Sequence, residues 1–175
     1  MKYFSINSIG IDGGQRWNED LIKVTEESFR ANDEHIFALT LNFRDRSQDK
    51  VESSLWHYIN VVSRMVFKSK QRRSDLLVKH FAVIENHDNK GFHSHATIAV
   101  DKTLLSAEDF KKILLESYQN LQNKSWANSG IEVAEYRDSG WNDYIHKNRT
   151  KEHTGYLGSI SLSTLRLVET SVSKR

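Results

Sequence analysis

HFAVIENHDNKGFHSHATIAV, residues 80–100, is the stretch on which the fold turns. Residues 80–86 and 92–100 are apolar and strand-like. Between them lies His87-Asp88-Asn89-Lys90-Gly91, a polar run ending in glycine that reads as a hairpin loop. Side chains alternate across a strand, so His93 and His95 share one face and Ser94 takes the other. Closing the hairpin brings Glu85 roughly opposite Phe92 and His93. Two imidazoles and one carboxylate on a rigid strand pair make a candidate divalent-metal site with open coordination positions. Such a set suits manganese or magnesium better than structural zinc, which takes a closed four-ligand cage. His87 is a possible extra ligand, although its place in the loop predicts solvent exposure. The competing reading, that His-x-His is structural, has to be weighed in a chain with 8 histidines.

Working outward, residues 2–9 and 35–43 read as strands. Residues 48–67 carry helical periodicity, with Val51, Leu55, Tyr58, Ile59, Val62 and Val66 on one face. Ser106-Ala-Glu-Asp109 is a capping signal for a helix to about residue 122. That helix has an apolar face of Phe110, Ile113, Leu114, Ser117 and Leu121. Residues 131–136 form a further short strand, and 140–148 a short helix. Gly13-Gly14 marks a turn, residues 16–30 pattern weakly as a helix, and the tail from 157 is rich in Ser, Thr and Leu. The expectation is an α+β fold in one domain, residues 1–175. Its core is a central antiparallel sheet of about five strands with helices on one face and the histidines on the other.

The short helix carries Tyr144 and Lys147, three apart and so on one face. A phenol is mostly protonated at neutral pH, and a neighbouring cation together with a metal-bound phosphate would favour the phenolate. Alone, Tyr-x-x-Lys is a common pattern whose ordinary meaning is a packed ring and a solvated lysine.

Taken in order, Glu85, His93-Ser94-His95 and Tyr144-Ile-His-Lys147 resemble the HUH endonucleases. The resemblance is nearest to the single-tyrosine rolling-circle replication initiators of phages and plasmids. Ile36-Phe-Ala-Leu-Thr-Leu-Asn-Phe43 resembles the family's first motif, and Trp141 resembles a tryptophan of the phage-type enzymes. Ser94 departs from the hydrophobic residue usual between the histidines. The resemblance spans residues 36 to about 150 and implies an RRM-like palm. It implies Glu85, His93 and His95 as ligands to Mn2+ or Mg2+, Tyr144 as nucleophile and Lys147 as its catalytic partner. The implied reaction nicks and joins one DNA strand at a replication origin through a 5′-phosphotyrosine, leaving a 3′ hydroxyl that primes synthesis. Thr40, Asn42, Trp141, Arg149 and Lys151 are candidate DNA contacts. For Thr40 and Asn42, a role behind the metal ligands or as the plain polar face of a strand is equally open. A single-tyrosine transposase, a transfer relaxase and a non-catalytic nucleic-acid-binding module are the competing readings. Gln is usual after the transposase tyrosine, and an early tyrosine with three histidines is usual in relaxases.

Composition is compatible with this class. Hydrophobic residues make 38% and charged residues 27% of 175, ordinary for a soluble domain. The absence of cysteine excludes thiol catalysis, disulfides, iron–sulfur clusters and cysteine-ligated zinc. No run is apolar enough to span a bilayer and the start lacks a secretory core, so a cytoplasmic protein without membrane partners is expected. No phosphate-binding GxxxxGK[ST] loop is present, so no helicase domain is expected and a host helicase and polymerase would be partners. The net charge is only +2, but basic residues cluster at 68–73 and 147–151, where they would bind phosphate in a salt-sensitive way. Trp126, Trp141 and Tyr136 are candidates to stack on unpaired bases of a single-stranded or hairpin origin, and Trp126 fits a core position equally well. With a single tyrosine nucleophile, ending a replication round needs a second protomer or another nucleophile; a monomer or weak dimer is expected.

Overall fold

The computed structural model describes residues 23, 25–29, 33–44, 47–68, 76–87, 91–136 and 140–141. The elements are β1 (Glu34–Phe43), α1 (Gln48–Phe67), β2 (Lys79–His87), β3 (Gly91–Asp101), α2 (Ala107–Asn123) and β4 (Ala127–Glu135). The fold is α+β, with an antiparallel sheet carrying both long helices on one face. Among the described residues the sheet has four strands in the order β2-β3-β1-β4. The expected strand at 2–9, the tail from 157 and the basic runs at 69–73 and 147–151 lie outside the described residues.

Alternation sorts each strand between the two faces. Phe37, Leu39, Leu41 and Phe43 of β1 point toward the helices and are buried. They meet Ile84 and Ala82 of β2, Ile98 and Val100 of β3, and the apolar stripe of α1 in one continuous core. That stripe is the one read from periodicity: Val51, Leu55, Tyr58, Ile59, Val62 and Val66 are all buried. Helix α2 begins where the capping signal places it. Ser106 accepts a hydrogen bond from the Asp109 N–H at 3.1 Å and donates to the Asp109 carboxylate at 2.6 Å. The hairpin closes through Gly91 at φ +79°, a left-handed conformation that suits glycine.

β4 begins at Ala127, four residues earlier than its pattern indicates. Asn-Ser-Gly at 128–130 has the composition of a loop, and tertiary bonds override it. Asn128 donates its side-chain amide to the Phe43 carbonyl at 2.9 Å. The Tyr118 hydroxyl, on α2, sits among the carbonyls of Asn42, Asn128 and Gly130, the nearest at 2.7 Å. The pairing with β1 slips between Leu41 and Phe43, a β-bulge that absorbs the irregular segment.

The face away from the long helices carries a smaller cluster of Phe29, Phe81, Val83 and Ala99, with Ile36 and Trp141 packed on it. Phe29 closes a helical turn by donating its N–H to the Thr25 carbonyl at 3.1 Å, within the weakly patterned region 16–30. Lys79 anchors this turn. It donates to the Ser28 carbonyl at 2.7 Å, pairs with the Glu34 carboxylate and lies 5.3 Å from the Phe29 ring centre.

Candidate metal centre

Glu85 and His93 are direct cross-strand partners in the β2–β3 hairpin, and His95 lies one pair further along the same face. The register is the one the folded hairpin predicts, and it places all three side chains together. Their ligand atoms lie within 4.8 Å of one another. His93 Nε2 is 3.0 Å from Glu85 Oε2, and His95 Nε2 is 3.9 Å from the same oxygen. Neighbouring ligands on an octahedral ion at ~2.1 Å are roughly 3 Å apart. The Glu85–His93 pair already has that spacing, and rotation within the side chains can close the wider gap. The group could hold a metal ion, and its nitrogen and oxygen donors suit a divalent one. The three side chains are only 5–14% exposed, so the pair-wise attraction acts away from bulk water.

The surroundings orient the imidazoles. Thr40 of β1 is the cross-strand partner of His95, and its Oγ1 lies 3.2 Å from His95 Nδ1. With Nδ1–H donating to Thr40, Nε2 carries the lone pair that a metal needs. The His93 and His95 rings meet edge to face at 4.9 Å between centres. Trp141 meets His95 edge to face at 5.6 Å, walling the site on one side. Ser94 points into the core and is fully buried, as its position between the histidines requires.

The other candidates fall in different places. Asn42 is the cross-strand partner of His93, and its amide donates to the Gly130 carbonyl at 3.0 Å. Tyr136 follows β4, with its N–H donating to the Ile36 carbonyl at 3.0 Å. It lines a cleft of about 530 Å³ beside Trp141, together with Ala38, Lys111 and Glu135. Trp126 belongs to a separate cleft against α1 and does not approach the metal group. Tyr144, Lys147, Arg149, Lys151 and the His87 side chain lie outside the described residues. Burial pushes the phenols of Tyr58 and Tyr118 up, and their hydroxyls donate to the carbonyls of Leu114 and Asn42 at 3.2 and 2.7 Å.

Sequence reasoning missed the aromatic cover from Phe29 and the Lys79–Glu34 pair beneath it. A lysine alternating with apolar residues in Lys79–His87 was the available signal, since a strand seldom turns a lysine inward without a carboxylate to meet it. In comparisons with known proteins, no family model, curated protein or solved structure matched this chain. No helix among the described residues is long and apolar enough to cross a membrane.

Proposed function

We propose that this protein is a metal-dependent, single-strand DNA endonuclease and strand transferase of the HUH type, acting at a replication origin through Tyr144. The observation that carries the reading is the Glu85, His93 and His95 group with Trp141 packed on His95. Trp141 is three residues before Tyr144. The motif order in the sequence, carboxylate, His-x-His, then Tyr-x-x-Lys, supports the same reading.

The chemistry assigned to the chain is a balanced exchange of phosphate esters. The Tyr144 oxygen bonds to phosphorus, the bond from phosphorus to the 3′ oxygen breaks, and the phenolic proton is in the end returned to that oxygen. The DNA 5′ phosphate stays on Tyr144 and a 3′ hydroxyl is freed. Lys147 favours the phenolate by its positive charge. Glu85, His93 and His95 would hold Mn2+ or Mg2+, which when bound draws charge from the scissile phosphate. Thr40 keeps His95 in the tautomer that binding needs. Strand rejoining runs the same exchange in reverse.

The test is incubation with a labelled random-sequence library of single-stranded oligonucleotides and Mn2+, followed by a denaturing gel. The reading expects a covalent protein–DNA band that disappears in chelator and in Tyr144→Phe. A band that survives Tyr144→Phe assigns the nucleophile elsewhere. No band, from protein that binds the library, leaves a binding module on this fold.

A further inference from the structure

A second cleft lies on the helix side of the sheet, away from the metal group. Helix α1 turns its apolar stripe inward, and the stripe Lys50, Ser53, His57, Asn60 and Arg64 lines this cleft at the three- and four-residue spacing of one helix face. Trp56 and Trp126 flank it, 39% and 37% exposed, two of the four large apolar side chains that the described surface leaves out. The volume is about 650 Å³.

Its electrostatics are one-sided. None of the lining residues is acidic, while Lys50 and Arg64 are cationic. Lys124, at the end of α2, adds a third cation, 4.9 Å from the Trp126 ring centre. Its ammonium donates to His57 Nε2 at 2.9 Å, and His57 meets Trp126 edge to face at 5.1 Å. The imidazole accepts that bond, so it is neutral there. Burial first, then Lys124 and Arg64, hold its pKa below the ordinary value. Arg64 and Lys124 stand at a lining that holds no carboxylate, and their positive field favours an anion there. Exposed indoles beside such a field are the two components of a sequence-tolerant single-strand site: flat surfaces for bases and charges for the backbone.

We propose that this cleft is a second docking site for single-stranded DNA, stacking unpaired bases on Trp56 and Trp126 and placing phosphates on Lys50, Arg64 and Lys124. Lys50 and Arg64 are 14 residues apart on α1, ~21 Å along the axis, room for a few nucleotides. The choice of DNA rests on the endonuclease reading, whereas the demand for a flexible polyanion with flat rings comes from the cleft itself. The site would hold a strand outside the reacting centre, which a nicking enzyme needs if the freed end is not to drift away before rejoining.

The test is fluorescence anisotropy of a short, labelled, random-sequence oligonucleotide with the full chain in chelator, so that metal plays no part. Trp56→Ala and Trp126→Ala are each expected to weaken binding roughly 5- to 100-fold, with Trp→Tyr restoring most of it. Lys50→Gln and Arg64→Gln, which sit on an exposed helix face, should each flatten the slope of log affinity against log salt by about 0.7. The matching duplex should bind less tightly than the single strand. Unchanged affinity and salt slope in all four variants overturn this cleft while leaving the nicking reaction intact. The nicking reading fails separately, through loss of the covalent band with these binding losses still observed. Equal or tighter binding of duplex, or tighter binding of RNA of the same sequence, overturns the assignment to single-stranded DNA.

Discussion

On the helix side of the sheet, Phe37, Leu39, Leu41 and Phe43 merge with two helices into one continuous apolar core. On the other side, the same strands present Thr40, Glu85, His93 and His95, and among the described residues a small cluster around Phe29 and Phe81 covers part of the surface. Alternation along a strand makes the contrast possible, because neighbouring residues serve opposite faces. His93-Ser94-His95 shows it in three residues: the outer two meet Glu85 and Thr40, and the middle one is fully buried in the core. Among the described residues the larger apolar core lies on one face, and the other carries the Glu85, His93 and His95 group.

That division can be attacked from both sides. The largest expected effect is on reaction: His93→Ala or His95→Ala should take metal-dependent cleavage to background while moving the unfolding free energy by only about 1 kcal/mol, within the ordinary range for a point change. Denaturant unfolding alongside the gel assay checks both halves, and a collapse of stability would mean that the histidines hold the fold. The converse variant is Leu39→Ala, which empties a fully buried core position. It should cost about 3–5 kcal/mol, read as a shift in denaturation midpoint. A cost under about 1 kcal/mol would deny the helix face its role.

A finer cut passes between β1 and β3, where Thr40 meets His95. Thr40→Val keeps the shape of the side chain and removes the oxygen facing His95. Metal affinity should fall roughly 10- to 100-fold, measured by calorimetric titration, with the fold retained. Unchanged affinity would show that His95 needs no such support.

How much of this was legible in the sequence follows from the range of the forces involved. Helix α1 runs from Gln48 to Phe67, as its periodicity indicates, because one apolar stripe sets both its length and its facing. The hairpin and the Glu85–His93 pairing were legible because polar loop residues and alternation are local signals. β4 was read short because Asn128 and Gly130 carry loop composition, and what makes them a strand is Tyr118 and Phe43, remote in sequence. Phe29 over Phe81, and Trp126 beside His57, are likewise meetings of distant segments that no local pattern announces. Trp126 read equally well as a base-stacking or a core residue, and the structure puts it at the surface of a cleft separate from the metal group.

The smallest expected effect is on pH dependence, and it belongs to the helix side. His57 is held below its ordinary pKa by burial and by Lys124 and Arg64, so the unfolded chain takes up a proton there before the folded one does. Its contribution to stability is therefore lost as pH falls from about 6.5 through the folded-state value. His57→Gln should remove that part of the acid-side slope in thermal unfolding, and an unaltered slope would mean that neither burial nor the cations hold the ring below its ordinary pKa.

The most direct measurement of the central claim is Mn2+ binding followed by electron paramagnetic resonance on the wild type and on His93→Ala, His95→Ala and Glu85→Gln. The account predicts one tightly held ion per wild-type chain, with nitrogen couplings from two imidazoles, and loss of that ion or of a nitrogen coupling in the histidine variants. The same signal in wild type and histidine variants alike, or no bound ion in a correctly folded wild type, would contradict it.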